Sequence, residues 1–298
     1  MQSILIQLDT DEHPSSFDQV VAVDAGADRI FSYGGISEDN VEGLVHGAMF
    51  TRGPSDLHNT AIFVGGSQVD SGERVMQRIQ QTYFGPMRVS VMMDSNGSNT
   101  TAAAAVVAAS HHASLRNSQA IVLGGTGPVG QRVARILASE GCQVRLVSRS
   151  LERATAVCDS ILEDSPDAQL EPAAASDANL CIELADGCDL MFAAGAAGVT
   201  FLPEGSLANI NGLQVAIDLN AVPPVGLGNI AVTDNGQEHA GVLCYGALGV
   251  GGTKMKVHKR AIQQLFESND CVFDTAEIYQ LAQEVAAESV KANRQVGF

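Results

Sequence analysis

LGGTGPVG, residues 123–130, is the stretch whose reading decides the fold. Within it Gly125, Thr126, Gly127, Pro128, Val129 and Gly130 match the spacing G-x-G-x-x-G. Glycine supplies 30 of the 298 residues, so the spacing alone is a weak signal. Its surroundings give it weight. The β-type run AIVLG precedes it, and VGQRVARILASEG follows with Val129, Val133, Ile136 and Leu137 on one helical face. Strand, glycine turn and helix in that order make a dinucleotide-binding unit. Gly125 is expected to form the tight turn, Gly127 to let the backbone approach a pyrophosphate, and Gly130 to let helix and strand pack. The helix N-terminus then faces the anion, and Pro128 suits a first turn where a missing N–H costs nothing.

The next strand, VRLVSRS (144–150), selects the cofactor. A site for NAD places Asp or Glu at this strand end, where it accepts hydrogen bonds from the ribose hydroxyls. Here stand Ser148, Arg149 and Ser150, with Arg153 a turn later. Guanidinium groups and hydroxyls suit a dianionic 2′-phosphate, so the expected cofactor is NADP. The loops MFAAGAAG (191–198) and AIDLNAVPP (216–224) end later strands and are expected to border the nicotinamide half, through Ala194, Gly195, Asn220 and Ala221. Asp218 reads equally well as a structural strand-end residue.

Working outward, strand-like and helix-like segments alternate along the chain. Strands are expected at 3–9, 60–66, 88–94, 119–124, 143–148, 189–193, 213–218 and 241–244. Helices are expected near 17–26, 71–84, 128–140 and 151–163. The alanine-rich stretch 98–115 lacks Gly and Pro and reads as a long helix, with Ser98 or Asn99 as its N-cap. The fold class is therefore α/β, with an N-terminal α/β domain and a Rossmann-type doubly wound parallel sheet. Boundaries are drawn at 1–115 and 116–269, with a helical tail, 270–298, packing back on the first domain.

Composition removes other classes. The formal net charge is −17, with 17 basic residues, which disfavours nucleic acid. No run approaches about 20 apolar residues, so no membrane span is expected. Six cysteines include no CxxC pair and suit free thiols in a cytoplasmic chain. His111 and His112 are adjacent and cannot share a helix face, and no metal centre is expected. None of the four tyrosines has Lys at i+4, the proton-donor spacing of many short-chain reductases, so the chemistry points to hydride transfer with little proton movement.

The motifs QLDTDEHPSSFD, MDSNGSNTTAAA, GGTGPVG, VSRS, DLNAVPPVGLG and GALGVGGTKMKVH together resemble the NADP-dependent methylenetetrahydromethanopterin dehydrogenases, over nearly the whole chain. The resemblance implies oxidation of N5,N10-methylene-tetrahydromethanopterin to the methenyl form, with methylenetetrahydrofolate accepted by some members. It also implies two lobes with the pterin in the cleft between them, and a homo-oligomer, trimeric or higher. On the matching motifs, Asp18, Lys254 and Lys256 are the expected catalytic or pterin-orienting residues. Asp94, Asn96, Ser98, Asn99 and Thr100 are the expected pterin contacts. Residues 1–100 contain no lysine, which departs from the folate-linked dehydrogenase/cyclohydrolases and argues against cyclohydrolase activity. A folate-specific dehydrogenase, a carbonyl reductase of the two-lobed type and an NADPH-binding regulator are the rival readings.

Overall fold

The structure, a computed structural model, describes residues 1–296. Its backbone divides into two compact units, Met1–Thr100 with the chain from Met255 onward, and Thr101–Lys254. Both crossings of this boundary fall inside helices, whereas the sequence placed them at 115/116 and 269/270. Residues 297–298 of the expected tail lie outside the described residues.

The first unit runs β1 (Ile4–Asp9), α1 (Ser16–Asp24), β2 (Arg29–Tyr33), α2 (Glu42–Phe50), β3 (Thr60–Gly65), α3 (Val69–Thr82) and β4 (Ser90–Met93). Helix α4 (Ser98–Ser110) then leaves it. Every residue of β3 and β4 is buried, as expected for parallel strands covered on both faces. Helix α3 buries Val75, Met76 and Ile79 against them, each at 3 % exposure or less. Full burial of such side chains contributes roughly 1.5–3 kcal/mol apiece, which holds this polar helix to the sheet.

The second unit contains β5 (Gln119–Leu123), α5 (Pro128–Ser139), β6 (Gln143–Ser148), α6 (Leu151–Asp164), β7 (Gln169–Ala174), α7 (Ala178–Ala185), β8 (Leu190–Ala193), β9 (Val215–Asp218), β10 (Asn235–His239) and β11 (Val242–Tyr245). Helix α8 (Ala247–Gln264) carries the chain back to the first unit, which ends with β12 (Val272–Phe273) and α9 (Thr275–Val296). The sheet order of the second unit is β10-β11-β9-β8-β5-β6-β7, parallel except for the β10–β11 hairpin. This is the doubly wound arrangement, reversing direction between β5 and β8. In the first unit the order is β12-β4-β3-β1-β2, parallel throughout, with the short tail strand β12 on β4.

Three elements differ from the sequence expectation for identifiable reasons. Strand β7 holds Pro172, which argues against a strand, yet β7 is the sheet edge, where a missing donor is tolerated. Strand β10 is polar, and its hairpin turns through Ala240 and Gly241, both at positive φ. Helix α4 stops at Ser110 rather than 115: His112 is drawn to Tyr245, Nε2 to hydroxyl 2.5 Å, and Leu115 turns into the core. Among the described residues no helix is long and apolar enough to cross a membrane.

The start of α4 is capped by neither Ser98 nor Asn99. Asp94, fully buried at the end of β4, accepts the backbone N–H groups of Asn99 at 2.9 Å and Thr100 at 3.0 Å, and the Thr100 hydroxyl at 2.6 Å. Asp94→Ala should lower the unfolding free energy by about 3 kcal/mol, the sum expected for a lost cap and unmet buried donors. Urea denaturation checks this, and a change within about 0.5 kcal/mol would contradict the capping role.

Candidate functional site

The glycine turn between β5 and α5 is shaped by crowding. Gly124 sits at φ +72°, and a Cβ there would lie 2.9 Å from the carbonyl oxygen of Ala194 and 2.9 Å from the nitrogen of Gly195. The left-handed step is thus at Gly124, one residue before the glycine expected to make it. Gly125 instead packs on β6, where a Cβ would meet Leu146 Cγ at 2.5 Å, and its N–H donates to Val147 at 2.9 Å. A Cβ on Gly130 would lie 2.5 Å from the Gly124 carbonyl oxygen, so α5 begins directly against the turn. Gly127, the N-cap, brings no capping side chain, and Pro128 follows in the first helical turn. The first-turn N–H groups are therefore open to an anion, with the helix dipole behind them.

Beside this turn lies a cavity of about 340 Å³. Its walls include Gly124, Thr126, Gly127, Ser148, Arg149, Ser150 and Arg153, together with Ala194 and Gly195 from the end of β8. Thr126 and Ser148 hydroxyls are 3.2 Å apart, joining the turn to the end of β6. Ser150 caps α6 by accepting the Arg153 N–H at 3.3 Å, which fixes where the Arg153 side chain leaves the helix. Both arginines are exposed, so their charges are available to a ligand. The donor set fits a phosphorylated dinucleotide: backbone N–H groups at the turn for the pyrophosphate, guanidiniums and hydroxyls one strand away for a 2′-phosphate.

Six of the expected cofactor residues do not line the cavity: Gly125 and Gly130 pack within the turn, and four more lie behind the cavity or apart from it. Pro128 and Val129 start α5 behind the turn. Asn220 is buried and spent on its own loop, donating to Asp218 Oδ1 through its backbone N–H at 3.0 Å and to Pro224 through Nδ2 at 2.9 Å. Ala221 is exposed beside it. Asp218 organises that loop, accepting the N–H groups of Leu227 at 2.9 Å and Asn220 at 3.0 Å. Burial nevertheless pushes its carboxyl above the ordinary value, so the stability it lends is complete at low pH and falls as pH rises through that raised value.

In the first unit the polar stretch DSNGSNTT divides into an interior part and an exposed part. Asp94, Ser98, Asn99 and Thr100 are buried. Asn99 donates to Met93 at 2.8 Å and to Asp274 at 3.0 Å, and accepts from the Thr275 hydroxyl at 2.8 Å. Ser98 donates to Ser95 at 2.8 Å. Only Asn96 of the expected pterin contacts is exposed, held at φ +56° by the turn. Asp18 lies half-buried in the first turn of α1, whose N-cap is Ser15, accepting the Asp18 N–H at 3.3 Å. GALGVGG is not a flexible strap: from Ala247 it is helical, and Gly249 allows contact so close that a Cβ would fall 1.8 Å from the Asp234 carbonyl oxygen. Lys254 and Lys256, two apart on α8, consequently point to different faces, the first half-buried and the second exposed.

A family model described as methylene-tetrahydromethanopterin dehydrogenase, N-terminal, matches residues 16–96. The bifunctional protein MdtA of Methylorubrum extorquens is 46 % identical over 287 residues, covering 96 % of this chain and 99 % of its own. The chain belongs to the methylenetetrahydromethanopterin dehydrogenase family. A second relative from the same organism, the NAD(P)-dependent methylenetetrahydromethanopterin dehydrogenase, is 30 % identical over 96 % of this chain and 99 % of its own. Among solved structures, the ligand-free 5-ketofructose reductase of a Gluconobacter strain shares the fold, with a TM-score of 0.52 at 15 % identity, covering 96 % of this chain and 99 % of that one.

For this member of the dehydrogenase family, sequence reading missed the wall formed beyond β7 by Ala175, Ser176, Asp177 and Cys181. Pro172 hid the strand, although the helix-starting pattern of Asp177 before ANLCIELA was visible. Phe201 was missed as well; its ring fills the space where a Cβ on Gly195 would come within 2.7 Å. Gly130→Ala should displace the turn and weaken NADPH binding by an estimated tenfold or more, with a loss of about 1–3 kcal/mol in stability from overpacking. Fluorescence titration together with thermal melting tests this, and wild-type affinity in the variant would contradict it.

Proposed function

We propose that this chain oxidises N5,N10-methylene-tetrahydromethanopterin to the methenyl form with NADP. The names of the NAD(P)-dependent full-length relative and of the matching family support the substrate and the reaction. One observation carries the cofactor: Arg149 and Arg153 share a cavity wall with the glycine turn, at the strand end where an NAD site places a carboxylate.

When bound, NADP supplies the hydride acceptor. The protein holds it at both charged positions, the turn and α5 taking the pyrophosphate and the arginines with Ser148 and Ser150 taking the 2′-phosphate. Loss of hydride leaves the methenyl cation delocalised over two nitrogens, so no proton need move. A site without a Tyr–Lys donor pair is sufficient for that step. What remains is positioning and electrostatics. On the pterin side, Asn96, Asp18 and one lysine of α8 are the contacts in this reading, since Lys254 and Lys256 point to different faces of that helix. Asp94, Ser98, Asn99 and Thr100 act as positioning residues that fix the loop carrying Asn96.

Placement in the cytoplasm belongs to the same reading, supported by six free cysteines, five of them buried. So does a homo-oligomer, supported by the apolar side chains of Val20 and Val23 on α1 and Phe31 on β2, all close to half exposed or more.

Arg149→Ala should lower kcat/KM for NADP by on the order of tenfold or more and leave that for NAD nearly unchanged, because only NADP carries the phosphate this side chain meets. Steady-state kinetics with both cofactors measures the ratio. An equal loss with NAD and NADP would assign Arg149 a structural role and remove the 2′-phosphate site from this position.

A further inference from the structure

On the β7 side of the cofactor cavity stands an acid that the reading above does not use. Asp177 lines the same cavity as Arg149 and Arg153, immediately before α7. Its Oδ1 accepts the backbone N–H groups of Asn179 at 3.0 Å and Leu180 at 3.1 Å. Its Oδ2 accepts the Ser176 hydroxyl at 3.1 Å. A carboxylate offers about four lone-pair directions, so Oδ2 keeps an acceptor site after the helix is capped. The Leu180 N–H and then the Ser176 hydroxyl hold this carboxyl below its ordinary value, and it is ionised at neutral pH. A fixed negative charge in a cavity built for a dianionic phosphate weakens binding by repulsion unless the same group makes a favourable contact with the ligand.

Strand order says which part of the ligand that contact meets. The turn after β5 takes the pyrophosphate, the end of β6 takes the ribose phosphate, and β7 lies one strand further out, about 4.8 Å away. A dinucleotide lying across the carboxyl ends in that order brings its base to the end of β7. There Ala175 and Cys181 provide an apolar wall for a flat ring, and Asp177 provides the acceptor.

We propose that Asp177 reads the adenine base, its Oδ2 accepting the exocyclic amino group. This rests on the cofactor reading and deepens it: the arginines select the phosphate, and Asp177 selects the base.

The test uses the reduced hypoxanthine counterpart of NADPH, in which the amino group is replaced by a carbonyl oxygen and donor becomes acceptor. Dissociation constants for both nucleotides are measured by fluorescence titration, with wild-type protein and with Asp177→Asn. Asparagine keeps the helix cap and can place an amide donor where Oδ2 stood. Wild type should prefer NADPH by on the order of tenfold or more, and the variant should bring that preference to about one or below. Both nucleotides carry the 2′-phosphate, so the lost charge moves both affinities alike and cancels in the ratio. A wild-type ratio near one, or a ratio unchanged in the variant, overturns the assignment while NADPH binding leaves the cofactor reading standing. Failure of wild type to bind either nucleotide overturns the cofactor reading, and the assignment with it. If the variant does not fold, the wild-type ratio decides alone.

Discussion

Backbone packed against backbone at Gly124, Gly130 and Ala194 is the constraint on which the second unit depends. A Cβ at Gly124 would press on Ala194 and Gly195, and one at Gly130 would press on Gly124. Because side chains are excluded there, the ends of β5 and β8 and the start of α5 meet at main-chain distance. The turn keeps its shape without capping side chains, which leaves helix N–H groups for an anion. Gly125 carries the same close packing to β6 through Leu146 and Val147, and the Thr126–Ser148 contact extends it to the strand end that bears Arg149. The charges that distinguish one dinucleotide from another are thus held in register with the turn that binds what the two share.

The first unit uses polar residues differently. Gln7 and Asp9 on β1, Asp94 just after β4 and Asn99 in the first turn of α4 are all buried. Asp9 accepts the N–H groups of Asp11 at 2.9 Å and Ser15 at 3.0 Å, and Gln7 bridges Ser15 and Ser32. Such groups are costly to bury unless satisfied, and here each one fixes a loop. Polar side chains inside this unit set the positions of exposed ones such as Asn96.

Much of the second unit was legible because its constraints are local. The glycine spacing, the apolar face of α5 and the basic end of β6 lie within about thirty residues, and each has a period or charge that sequence displays. What sequence concealed depends on long-range pairing. Pro172 is acceptable in β7 only because that strand is the edge of the sheet, and α4 ends where it does because Tyr245, far along the chain, holds His112. The same limit applies to the site. DSNGSNTT reads as a cluster of donors for a ligand, and only folding reveals that Asp94, Ser98, Asn99 and Thr100 turn inward. Likewise the glycines of GALGVGG suggest mobility in sequence, whereas Gly246 and Gly249 are needed for close approach to residues 231–235.

The most direct test of the account follows the methenyl absorbance band after purified protein is mixed with methylene-tetrahydromethanopterin and NADP, with NAD and methylenetetrahydrofolate in parallel. The account predicts sustained methenyl formation with the methanopterin substrate that depends on NADP and is much slower with NAD. Tight NADPH binding without methenyl formation from either pterin would contradict it, leaving a cofactor-binding protein with a different task.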